Sequence, residues 1–254
     1  MKLLRDIWLV FQRHTLLMIR SPLWLFLGVS QPVVYLALFA PLLKPALASM
    51  GANSMTEAYR IYVPGMLVAL ALAGGLYAGF GLLAEIGSGV IERARVTPVS
   101  RLALLFGRAL RDVVTLVIQA AIILVLALPL GLYVRIPELL TGYLLLALIA
   151  FTSATFSYGI ALRLRNPGVL GQVINNLAQP LMLLSGTLLP IALAPGWLRG
   201  IADFNPFSWA VTAMRALFHS HTADPSVWHS LSMMLALAIV ALVWSARQFA
   251  RAVR

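Results

Sequence analysis

Four stretches of this chain, 62–83, 113–132, 139–162 and 228–246, each run for a bilayer's width without an aspartate, glutamate, lysine or arginine. About 20 mostly apolar residues are what a helix needs to cross the hydrocarbon core. In lipid every backbone N–H and C=O must find a partner within the protein, and a helix supplies those partners inside one segment. Two further stretches qualify less cleanly. Segment 23–43 carries Pro32 and Pro41, tolerated where neighbours satisfy the freed carbonyls, and 169–189 is the most polar of the set. The pattern predicts an all-α polytopic membrane protein with six spanning helices.

Composition and charge agree. Of 254 residues 61% are hydrophobic and 11% charged, with a mean hydropathy of +0.92, where a soluble domain carries about a quarter charged. The net charge of +11 would suit nucleic acid if the basic residues formed one face interleaved with stacking aromatics. They lie instead between the apolar blocks, so nucleic acid is not an expected partner and membrane lipid is. Lys2, Arg5, Arg13, Arg20, Arg93, Arg95, Arg101, Arg108, Arg111, Arg163, Arg165, Arg247, Arg251 and Arg254 fall on one side of the predicted spans. Only Lys44, Arg60, Arg135, Arg199 and Arg215 fall on the other. The positive-inside rule then places both termini and the loop between the second and third spans in the cytoplasm.

Residues 1–22 read as a separate amphipathic helix. Leu4, Ile7, Trp8, Phe11 and Met18 repeat at helical spacing opposite Lys2, Arg5, Gln12, Arg13 and Arg20, and Ser21-Pro22 closes the segment. A helix of this kind lies in the membrane interface, ahead of a transmembrane domain over 23–254. Ala46-Leu47-Ala48 resembles a signal-peptide cleavage site. The apolar run before it is longer than the roughly 7–15 residues of a signal's core, so a retained helix is expected.

Several polar features interrupt the apolar blocks. Gly75 and Gly79 form a G-x-x-x-G, extended by Gly74, Ala78 and Gly81, which permits close helix packing in lipid; the same face is a candidate lining for a path. Gln172, Asn175, Asn176 and Gln179 recur at helical spacing, so one face of 169–189 is lined with amides. Amides in hydrocarbon face protein or a water-filled path. Residues 186–225 are apolar but broken by Pro190, Pro195, Gly196, Gly200 and Pro206, which predicts a re-entrant or interfacial helical hairpin on the outer side. His219, His221, Asp224 and His229 follow. Their residue types suit zinc, but the spacing matches no ligand motif, so no metal is expected.

Much chemistry has no residues to carry it. Without cysteine there is no disulfide framework, thiolate zinc site or thiol nucleophile. Neither lysine sits in a G-x-x-x-x-G-K phosphate cradle, no catalytic set is evident, and no acid or lysine lies at mid-span to relay protons or sodium ions.

The exception is the polar region 85–112. Glu85 ends the second span, Gly87 and Gly89 loosen the chain, and 90–96 can form a short helical turn bearing Glu92, Arg93 and Arg95. Thr97-Pro98 breaks it, because a residue before proline avoids the helical region, and Ser100 can cap a new helix from Arg101. Along that helix Arg101, Arg108 and Arg111 share one face. Plain orienting charge would need neither the break nor the cap. The region reads as an ordered cytoplasmic ledge on which another protein docks.

The run Glu92-Arg93-Ala94-Arg95-Val96-Thr97-Pro98-Val99-Ser100-Arg101 resembles the E-R-x-x-x-T-P-x-S-R run in permease subunits of type-2 ABC exporters, the drug-resistance and polysaccharide-export group. The likeness continues through Ser185-Gly186-Thr187, Leu193-Ala194-Pro195-Gly196-Trp197-Leu198, Asn205-Pro206-Phe207-Ser208 and Met214-Arg215-Ala216-Leu217. It implies a permease subunit of the bacterial cytoplasmic membrane that is not itself an enzyme. Such a subunit pairs with a second permease, like or unlike, and with two copies of a cytoplasmic ATP-binding subunit that holds the ATP and magnesium; no cofactor is bound by this chain. The resemblance makes Glu92, Arg93, Arg95, Val96, Thr97, Pro98 and Arg101 the ATPase-coupling interface. The expected activity is export of an amphipathic, drug-like, lipid-linked or glycan substrate. The candidate path is lined by Gln172, Asn175, Asn176, Gln179, Gly75 and Gly79. The alternatives are a secondary carrier working alone, and a membrane-embedded enzyme or scaffold whose only chemical hint is the histidine cluster.

Overall fold

A computed structural model describes residues 2–19, 26, 28–38, 54–89, 100–187, 190–220 and 222–252, and the regular structure among them is entirely helical. In chain order the helices are α1 (Lys2–Ile19), α2 (Gly28–Leu38), α3 (Met55–Gly87), α4 (Arg101–Ala127), α5 (Ile136–Leu164), α6 (Pro167–Leu184), α7 (Gly196–Ala202), α8 (Pro206–Phe218) and α9 (Pro225–Ala252). Four of them, α3, α4, α5 and α9, are long and apolar enough to cross a membrane.

Local chemistry sets the boundaries. Ser54 and Glu57 close a reciprocal capping box at the start of α3, the Ser54 hydroxyl accepting from Glu57 N and the carboxylate from Ser54 N, which satisfies donors the helix cannot. Ser100 caps α4 as its sequence suggests, its Oγ accepting from Ala103 N at 3.1 Å. The amphipathic lead-in and the third predicted span are therefore one continuous helix from Arg101. A 3-10 turn, Leu128–Leu130, ends it at Gly131, whose φ of 86° is the left-handed conformation glycine takes without strain. Asn166 and Asn205 cap α6 and α8, each followed by a proline at the first helical position, where a missing N–H costs nothing.

The α5 helix is the axis of the bundle. The α3 helix crosses it with Gly75 over Ser153 and Gly79 over Ser157. The Ser157 hydroxyl accepts from Gly79 N at 3.1 Å and donates to Leu76 O. On another flank Trp244 of α9 covers Gly159 and stacks on Phe156, ring centroids 5.4 Å apart. The α4 helix meets α5 through Phe106 and Phe151, at 5.7 Å. Outside it, α1 lies against Gly107, where a side chain would strike Val10 and the Ile7 carbonyl. Lipid offers helices no hydrophobic drive to associate, so close approach at small residues and hydroxyl bonds to backbone hold such a bundle together.

Two expectations change. The 169–189 segment is the 18-residue α6, which stops at Leu184, and it is not among the four helices long and apolar enough to span. Of segment 23–43 the described part is α2 with Phe26, and the rest lies outside the described residues. Between 186 and 225 the chain forms the short α7 and the mostly buried α8.

Candidate functional site

The alternation of the long helices gives the bundle two ends. The C-termini of α3 and α5 and the N-termini of α4 and α6 share the basic end; α7 and α8 lie at the other. Glu92, Arg93, Arg95, Val96, Thr97 and Pro98 lie outside the described residues, and Arg101 opens α4 with its side chain likewise outside them. The two helices from which that segment hangs are described, and what joins them is a buried seam of charge.

Glu85, on the last turns of α3, pairs with Arg108 of α4. Arg108 is 4% exposed and its guanidinium lies over the Tyr158 ring of α5, 5.9 Å from the centroid. One turn further along α4, Asp112 accepts a hydrogen bond from the fully buried Tyr158 hydroxyl and meets Arg111 at 3.0 Å. From α1, His14 Nδ1 approaches Glu85 at 3.5 Å. Burial, with Arg108, Arg111 and Arg13 nearby, pushes the His14 imidazole down to about 3. It is neutral at physiological pH, and its contact with Glu85 is a polar contact, not an ion pair. Four helices thus meet through side chains rather than apolar packing alone. Arg108 is not on an exposed docking face with Arg101 and Arg111, as the helical spacing suggested. It is turned into the bundle, because its partner Glu85 comes from the helix that packs there.

The amide face is open. Gln172, Asn175, Asn176 and Gln179 of α6 are all exposed in the single chain, and Tyr77 of α3, itself 46% exposed, donates to Asn175 Oδ1 at 2.7 Å. Gly75 and Gly79 have no part in this surface. Both are buried against α5, so this glycine pair is used in packing within the chain.

At the opposite end Arg215 of α8 donates from Nε to Ile61 O at 3.0 Å and from Nη2 to Gly186 O at 2.7 Å, and burial pushes it down to about 10. Asn205 Nδ2 donates to Leu181 O at 2.9 Å. These bonds fasten α8 to α3 and to the end of α6 beside a cavity of about 420 Å³ lined by Glu57, Ile61, Ser208, Thr212, Arg215 and His219. His229 packs edge-on against Trp209 at 4.9 Å, and His221 lies outside the described residues. Sequence reasoning missed His14 and Tyr158 altogether and counted Arg215 as a loop charge. The available signal was position: Glu85 and Arg108 stand where two apolar runs face the same loop, in a chain with only eight acids.

Spanning helices around a glycine–serine contact, with a charged seam at one end and an exposed amide face, define an integral membrane helical bundle. The family profile of ABC-2 type transporters matches residues 5–219, and the chain belongs to that family. It is 30% identical over 224 residues to a protein of Cyanophora paradoxa described as a transport permease, ycf38, which covers 87% of this chain and 76% of that protein. It is 28% identical over 193 residues to the daunorubicin resistance ABC transporter permease protein DrrB1 of Streptomyces coeruleorubidus, covering 75% and 67%. A ycf38 of Porphyra purpurea is 28% identical over 225 residues, covering 85% and 75%. The chain is a membrane permease of the transport class.

Proposed function

We propose that this chain is the permease subunit of an ATP-driven exporter in a bacterial cytoplasmic membrane. It takes up an amphipathic substrate, drug-like, lipid-linked or glycan, and is powered by two copies of a separate cytoplasmic ATPase that hold the ATP and magnesium. In this reading 1–22 lies in the interface and 23–254 crosses six times, with both termini and the basic end cytoplasmic and the hairpin outside. The observation that carries it is the Glu85–Arg108 pair, which joins α3 and α4, the two helices that flank the charged 90–100 stretch in sequence. A permease without a nucleotide site must receive work through a surface that is gripped and moved. Glu92, Arg93 and Arg95 can make charge-assisted hydrogen bonds with a partner, and truncating one side of such a pair costs about 2–5 kcal/mol. Reversing the charges of Glu92 and Arg95 is expected to weaken ATPase capture at least tenfold in a pull-down, while reversing Arg251 and Arg254 changes it little. Loss in the tail variant with normal capture by the ledge variant would overturn the assignment. Capture at the ledge also fixes its side of the membrane.

A second permease copy, like or unlike, covers the amide face, and the path runs between the two. Four exposed amides on one helix face are costly against lipid and are relieved by water or by a partner's polar groups. Replacing Gln172, Asn176 and Gln179 together by leucine is expected to block transport in vesicles while assembly persists. If the amides only bridge helices, at about 0.6 kcal/mol each, the triple variant will transport normally.

A further inference from the structure

We infer that Arg108 is a two-position latch that fastens the far side of the ledge to the bundle and releases it during the cycle; this rests on the reading that ATPase motion enters through 90–100. The ledge hangs from two packing units. Its α3 side belongs to the α3–α5–α9 body, keyed together at Gly75, Gly79 and Gly159. Its α4 side carries α1, keyed at Gly107. At the basic end α4 packs on α5 through Phe106 and Phe151, and its bond to α3 is electrostatic: Arg108 of α4 holds Glu85 of α3.

Arg108 is incompletely used there. It is 4% exposed, yet its Nη1 is buried with no acceptor among the described residues. Arg108 has five N–H donors in a fork suited to engaging a carboxylate with two of them, and leaving part of the fork buried and empty is costly. One helical turn along, on the same face, lies a buried carboxylate, Asp112, held by Tyr158 and Arg111. The Tyr158 ring under the guanidinium is a surface over which the fork can swing. Moving from the partly exposed Glu85 to the buried Asp112 exchanges one ion pair for another, and buried ionic groups are best attested in such register and switch roles. With Arg108 on Glu85, α4 is fixed to α3. With Arg108 on Asp112 that tie is gone while Asp112 stays bound to Tyr158 of α5, and α4 can shift against α3 by the 1–2 Å or so typical of helix displacements at interfaces.

The chain has no cysteine, so spin labels can be placed at Leu110 on α4 and Ala84 on α3, both exposed. The distance between them is measured in the permease purified with its ATPase subunit, with and without ATP. In the unmodified background ATP is expected to shift it. Glu85→Gln is expected to populate the ATP-like distance without nucleotide. Asp112→Asn should keep the resting distance and lose the shift, and Asp112→Glu, which retains a carboxylate, should restore it. A purely structural contact predicts that Glu85→Gln and Asp112→Asn broaden the distribution alike. That outcome, or wild-type shifts in both variants, overturns the latch and leaves the coupling reading standing. If no ATPase copurifies, or ATP moves nothing in the unmodified complex, the coupling reading falls and the latch with it.

Discussion

A single methyl group at Gly79 is expected to lower the stability of the purified protein by about 1–3 kcal/mol or more, the cost of overfilling a packed contact. A Cβ at this position would run into the Ser157 hydroxyl and come within 2.9 Å of the Ser157 carbonyl oxygen. That hydroxyl is already committed on both sides, to Gly79 N and to Leu76 O, and a carbonyl in mid-helix cannot move aside. Gly81, two residues on, is exposed with nothing within 4 Å of its Cβ position. Gly81→Ala is therefore expected to be neutral or slightly stabilising, since glycine in a helix costs roughly 0.5–1 kcal/mol relative to alanine. The comparison is made by the temperature at which detergent-solubilised protein leaves the monodisperse peak in size-exclusion chromatography. Equal losses at the two positions would show that helix propensity, not close packing with α5, governs this stretch.

Arg215→Ala is expected to have the next largest effect on stability. Its two hydrogen bonds are charge-assisted and end on backbone carbonyls of separate elements, and bonds to charged groups contribute about 1.5–3 kcal/mol each. Removing the side chain leaves Ile61 O and Gly186 O to find other donors and frees the hairpin from the start of α3. The expected result is loss of roughly 3 kcal/mol or more and new protease cleavage between 187 and 205. Arg215→Lys should recover only part of this, because an ammonium on a flexible stem cannot span both acceptors as the planar guanidinium does. A hairpin that stays resistant in the alanine variant would mean that Asn205 and the apolar face of α8 hold it unaided.

Where the sequence was readable, a repeating physical requirement had written it. The apolar runs of α3, α4, α5 and α9 are long because a bilayer is thick, and the structure extends each at its ends where Ser54, Ser100 and the first-turn prolines supply caps. The restart at Arg101 follows from Ser100, whose effect is local. The seam is another matter. Arg101, Arg108 and Arg111 are related by helical spacing, and spacing alone makes them look like one solvated face. That Arg108 is the one that turns inward depends on Glu85, more than twenty positions earlier, and on Tyr158, fifty later. The same holds for Arg215, whose acceptors are carbonyls and leave no trace in residue type. The glycine stripe allowed two readings because small residues suit both a close helix contact and a path; only the position of Ser153 and Ser157 separates them.

One corner of the chain links these parts mechanically. Between α5 and α6 there are two residues, Arg165 and Asn166. Arg165 takes the left-handed conformation at φ 52°, and Asn166 folds back to accept from Gly168 N and Val169 N. A joint so short has no slack. If the end of α5 rotates or slides, α6 cannot stay behind, because two residues give little reach and both are held by caps. The arrangement is that of a crank and its pin: α5 carries Tyr158 against the charged seam at one face, and at its tip it carries the helix whose amides form the open surface. A displacement that begins at the seam therefore reaches the polar wall of the bundle without crossing any flexible segment.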